Sequence, residues 1–198
     1  QVQTITSDGS GINVEFAAVD FGSAGTVTDI DFTAGDITQT GAIDASTVNA
    51  GFSGTTIALN DAANDFDVVN LASVTAAEIV EQDGMTVNDA VASDRVILET
   101  VAGDLTLTRN IVSPNGLMLL SGNSIIQTSG TVTAPSLLMD AVDSASLGQV
   151  NSIGDATPGV IAGRASDEFY VSSQFGLQID TVTLNRIDGT PVSETGLS

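Results

Sequence analysis

The chain contains no cysteine, no lysine, no histidine and no tryptophan. Without cysteine there is no disulfide framework, no thiolate metal site and no thiol nucleophile. Without histidine as well, acid–base chemistry would fall to pairs of Asp and Glu. Basic residues are reduced to Arg95, Arg109, Arg164 and Arg186, set against 25 acidic ones, for a formal charge of −21. A nucleic-acid surface needs a basic patch, so nucleic acid is excluded as a partner, and attraction to an anionic membrane is disfavoured. No apolar run approaches the roughly 20 residues that span a bilayer, so direct membrane insertion is not expected. The opening residues Gln1-Val2-Gln3-Thr4 are not a signal peptide; the expectation is a processed secreted protein or an excised piece of a longer one.

What is present is apolar and β-forming. Hydrophobic residues make up 42% of the chain and the mean hydropathy is +0.27, too apolar for a disordered acidic segment. Val, Ile, Leu, Ala and Thr dominate, and helix-forming runs of Glu, Lys and Leu are missing, which points to an all-β fold. The 198 residues suffice for one domain, and no linker divides them.

An internal repeat gives the architecture. Residues 35–71 are echoed by residues 122–153. Each copy carries a Gln-Thr pair (Gln39-Thr40, Gln127-Thr128), then a glycine (Gly41, Gly130) and an aliphatic residue (Ile43, Val132). Ala45 and Ala134, Val48 and Leu137, and Leu59 and Leu147 follow, and each copy closes on Asn then an apolar residue (Asn64 and Phe66, Asn151 and Ile153). Between these positions run short alternating segments such as Leu105-Thr-Leu107, too short to stand alone. They become stable if each pairs with its equivalent in the next copy, as in a β-solenoid. Coils of about 20 residues at a rung spacing of roughly 4.8 Å predict about nine coils and a rod on the order of 45 Å long.

Along the chain, Ile12–Phe16 and Val27–Phe32 read as strands, and residues 1–34 as an N-terminal cap or docking rung. Thr75-Ala-Ala-Glu78 matches a helix capping box, but Ile79-Val80 followed by Gln82-Asp83-Gly84 favours a strand. Met85–Val87, Val96–Leu98, Leu177–Ile179 and Val182–Leu184 are further expected strands, with a turn at Ser113–Gly116 and a corner at Pro135. Residues 188–198 read as a loose tail.

The pattern I-x-Q-T, G-x-[IV]-x-A and L, closing on Asn64–Leu71, resembles the filamentous haemagglutinin-like repeats of large bacterial exoproteins and adhesins, as does the stretch Gly103–Ala134. The resemblance covers about residues 35–187 and contains no catalytic motif. It implies a right-handed parallel β-helix, secretion to the bacterial cell surface, and a role as stalk, adhesin or fibre. The chain is short for such proteins, which implies a fragment, a processed unit or one module of a polymer.

Three sets of residues are candidates for function. Phe16, Phe21 and Phe32 near the start and Phe169, Tyr170 and Phe175 near the end frame a middle with no aromatic between Phe66 and Phe169. Bulky residues at both ends suit end caps or an end-to-end interface, since terminal rungs expose core and backbone edge. Asp29 with Asp31 and Asp65 with Asp67 place carboxylates on one side of a strand, and calcium takes oxygen ligands of this kind. Two pairs do not define a site, so a solvated acidic face is the preferred reading and calcium the alternative. Outward threonines such as Thr131 and Thr133 are spaced too irregularly for an ice-binding face. The expectation is a secreted structural module that associates with itself into a fibre. The alternative is an adhesin segment binding a glycan or host surface along its side; a polysaccharide-cleaving enzyme is disfavoured.

Overall fold

Strand stacks on equivalent strand, about 20 residues apart, through most of the computed structural model, which describes residues 2–6, 13–21, 28–155 and 157–198. The result is a parallel β-solenoid of about eight turns, with no helix among the described residues. Ile12 and Val27, at the starts of two expected strands, lie outside the described residues.

The coil has three faces. The first stacks Val14–Phe16, Asp36–Gln39, residues 56–59, residues 76–81, Val96–Thr100, Leu117–Ser121, Ser136–Ala141, Gly159–Arg164 and Leu177–Ile179. The second runs through residues 43–45, 65–69 and 85–87 to Leu105–Leu107, Ile125–Gln127, residues 145–147 and Phe169–Ser173. The third begins with Val2–Thr6 on Asp29–Thr33 and continues through residues 49–53, 68–71 and 90–92 to Ile111–Val112, Val132–Ala134 and residues 151–153. The middle turns advance about 20 residues, as from Met85 to Leu105, while the turn from Leu137 to Ile161 takes 24.

Alternation explains the core. On each strand every second side chain points into the coil, and in parallel register it lands on its counterpart one turn away. Ile37, Ile57, Ala77, Val96, Leu117 and Leu137 form one such buried column. Phe32 stacks on Phe52 with ring centroids 5.5 Å apart, and Phe16, Phe21 and Phe66 extend that stack on either side. The segment with the capping-box pattern is part of the strand Asp65–Glu81. Ser113–Gly116 makes its turn, with the Gly116 N–H donating to the Ser113 carbonyl at 3.2 Å, and Pro135 stands at a corner between strands.

The sequence repeat turns out to be a corner device. In the first copy the side-chain amides of Gln39 and Asn64 hydrogen-bond reciprocally, at 2.8 and 2.9 Å. The Asn64 Oδ1 also accepts from the Ile43 N–H, and its Nδ2 donates to the Leu59 carbonyl. Gln127 and Asn151 repeat every one of these bonds with Val132 and Leu147. Gly130 is required here: its φ is +73°, and a Cβ would fall 2.2 Å from the backbone of Arg109 on the turn before. The two copies do not stack on one another, contrary to the expectation. Gln39 and Asn64 join the first face to the second, whereas Gln127 and Asn151 join the second to the third. Four turns carry position 39 to position 119, and eight further residues reach Gln127 on the next face.

The expectation of a loose tail at 188–198 is corrected. Pro191–Thr195 pairs antiparallel with Thr181–Asn185, and this hairpin folds back along the outside of the first face. Val182, with Leu184 and Val192, covers the outward row Ile97, Met118, Leu138 and Ala162, which stack in register. Beyond the hairpin the chain returns to the coil, where Gly163 pairs with Leu197 and the Ala165 N–H donates to the Ser198 carbonyl.

Candidate functional site

The six aromatic residues expected at the ends occupy two different environments. Phe16 and Phe32 are buried inside the first turns and Phe21 packs against them, with centroids 6.5 Å from Phe16 and 5.6 Å from Phe32. They are core of the N-terminal coils, joined to Phe52 and Phe66. Phe169 packs partly on the core of the last turn. Tyr170 and Phe175 stand out from that turn, 47% and 37% exposed, with Ile179 beside them in sequence and also exposed. The last turn therefore presents an apolar surface at the C-terminal end. Its strands Phe169–Ser173 and Leu177–Ile179 are each paired on one side among the described residues, while residues 196–198 pair with part of the neighbouring Gly159–Arg164 strand.

The two aspartate pairs also part company. Asp29 is held at the surface by the Asn49 side-chain amide and the Thr28 hydroxyl, both at 2.7 Å, and these donors hold its carboxyl below the usual range. It is a solvated acid with protein partners. Asp65 lies at the corner between the first and second faces. Its partners there are Glu81 and Asp83 rather than Asp67: one carboxylate oxygen from each of the three lies within 4.8 Å of the others. Burial and the neighbouring charges of Asp83, Asp44 and Asp67 push the Asp65 carboxyl up. Glu81 is fully buried, and burial pushes its carboxyl up to about 7. Its Oε1 accepts from the Asp83 N–H at 2.9 Å, while its Oε2 has no hydrogen-bond partner.

Stacking explains how a carboxylate comes to be buried. Glu81 occupies the inward corner position that Thr100 and Ser121 hold on the next two turns. Those hydroxyls donate to the Gly103 carbonyl at 3.0 and 2.9 Å. An ionised carboxylate can only accept, so it cannot take over that role. Alternation along the strand places residue 81 inward, and an acid at an inward position is the one sequence signal of this site.

A second carboxylate also lies below the surface. Glu78 is 1% exposed and accepts from the Arg186 guanidinium and the Ile187 N–H, both at 2.8 Å. Arg186 also bonds Glu99, one turn away, so the tip of the hairpin is tied to two rungs of the first face. The hairpin had a sequence signal. Val96-Ile-Leu98, Leu117-Met-Leu-Leu120 and Leu137-Leu-Met139 are unbroken apolar runs, which mark strands covered on both faces.

Shallow grooves mark the sides of the coil; one of about 380 Å³ is lined by residues that include Asp140, Val142, Arg164 and Ser198. No family model, curated protein or solved structure matches this chain.

Proposed function

We propose that this chain is a structural module of a secreted bacterial surface protein, a stalk or fibre segment of the filamentous haemagglutinin-like kind, whose copies stack end to end. The observation that carries this reading is the C-terminal end of the coil. Among the described residues, the strands Phe169–Ser173 and Leu177–Ile179 there are paired on one side only, beside the exposed Tyr170, Phe175 and Ile179. An open edge of this type recruits another strand. At the other end Val2–Thr6 is paired only with Asp29–Thr33 among the described residues. Joining one end to the other is a heterologous contact, which propagates into a filament instead of closing. The hairpin supports the same role, since it shields the apolar outer row of the first face and leaves association to the ends.

Analytical ultracentrifugation and electron microscopy test this. Concentration-dependent linear assembly is the expected result, and a chain that stays monomeric at high concentration and high salt overturns it. Glycan-array binding by the isolated monomer would favour the lateral adhesin reading instead.

A further inference from the structure

We propose that Asp65, Glu81 and Asp83 form a binding site for one hard divalent cation, calcium by ligand chemistry. The site lies within a single chain, at the corner between the first and second faces, and is independent of the end-to-end reading.

Three observations converge on it. The first is geometric: carboxylate oxygens of the three residues lie within 4.8 Å of one another, close enough to share one ion. The second is the state of Glu81. It is fully buried, and its Oε2 has no partner in the protein. A buried carboxylate with an unpartnered oxygen and two other acids beside it is satisfied by a cation or by a proton, and the nearby hydroxyl corners of Thr100 and Ser121 need neither. The third is charge balance. Lysine and histidine are absent, and each arginine is engaged elsewhere: Arg95 with Asp94, Arg109 with Asp89, Arg164 with Asp140 and Glu194, Arg186 with Glu78 and Glu99. Asp44 and Asp67 add to the negative field at Asp65. Oxygen-only, anionic donors select calcium or magnesium over softer metals. Calcium accepts the irregular geometry and fills its remaining positions with water, whereas magnesium demands a near-octahedral shell.

The ion would tie successive windings together. Asp65 opens one strand, and Glu81 and Asp83 lie where the chain turns onto the next face one winding later. Gly103 packs directly against this turn; a Cβ there would fall 2.0 Å from the Asp83 carbonyl oxygen.

The test uses the full chain, stripped with chelator and dialysed against calcium chloride, with bound metal measured by elemental analysis and thermal melting followed in parallel. The expected result is one calcium per chain and a melting temperature raised by several degrees, with magnesium giving a smaller rise. Glu81→Gln keeps the shape of the side chain and removes its charge, so it is expected to fold, to lose the stoichiometric ion and to melt at the same temperature with or without calcium. Asp83→Asn is expected to weaken binding at least tenfold. Wild-type protein that takes up no stoichiometric calcium at millimolar concentration overturns the proposal. So does a Glu81→Gln variant that binds calcium as tightly as wild type, since the ion would then sit on the acidic surface.

Discussion

Single side chains in this coil carry unequal loads, because a position that recurs on every turn is tolerant only when its neighbours offer the same chemistry. Glu81 is the sharpest case. Its carboxyl is raised from 4.5 to about 7, so the folded state holds a proton that the unfolded chain has lost. Its contribution to stability is therefore complete below the unfolded value and declines as pH rises through the window between the two. In metal-free buffer this costs about 3 kcal/mol between about pH 4.5 and about pH 8. Urea unfolding of wild type and Glu81→Gln across that range is expected to show the decline in the first and its absence in the second. The amide latch makes a second prediction. Asn64→Ala orphans the Ile43 N–H in a buried corner, takes the Asn64 donor from the Leu59 and Val80 carbonyls, and leaves the Gln39 amide only its bonds to Gly41 and Asp61. Each buried unpartnered group costs about 1–3 kcal/mol, so a loss of about 2–4 kcal/mol is expected by denaturant titration. Asn151→Ala should behave alike, since it breaks the same bonds to Val132 and Gln127.

At the level of elements, the strands two to six residues long in the middle turns persist because each is paired above and below. The parallel ladder satisfies their backbone groups, and the inward columns bury their side chains. The C-terminal hairpin works differently. It is antiparallel, short and exposed along one side, and a two-stranded hairpin is marginal alone. What holds it is Val182 on the apolar outer row and Arg186 on Glu78. Arg186→Ala leaves Glu78 buried without its cation, which is expected to destabilise the protein by about 3 kcal/mol or more. Replacing Glu78 with Gln in the same chain should recover part of that loss. Because the hairpin shields Ile97, Met118 and Leu138, the single variant should also bind more of a hydrophobic dye.

For the whole molecule, the charge of −21 and the apolar end pull in opposite directions. Like-charged copies repel at low ionic strength, and salt screens that repulsion within a Debye length of about 8–10 Å. Assembly measured by light scattering is therefore expected to rise with salt. Tyr170→Glu combined with Phe175→Glu places charge on the exposed end and is expected to abolish assembly while leaving the melting temperature of the monomer within about 2 °C, since surface changes of this kind shift stability little. If the double variant assembles as wild type does, the contact lies elsewhere.

Composition and alternation were enough to establish the all-β class and stacked parallel coils. Both follow from local chemistry: β-branched residues in segments such as Leu105–Leu107 and Val132–Ala134 have one face to bury and are too short to bury it alone. The Gln, Gly and Asn positions of the repeat were legible for a related reason, because a buried corner needs the same donors and acceptors wherever it occurs. Their meaning was not legible, since the repeat marks a corner and the register between turns is a long-range quantity. Register also brought Asp65 to Glu81 and Asp83, which the spacing Asp65-x-Asp67 had no means of revealing. It carried Arg186 across more than a hundred residues to Glu78, and turned an apparent tail into the cover of one face. Which greasy side points inward is a matter of neighbours in the chain; which polar groups meet is a matter of neighbours in space, and winding alone chooses those.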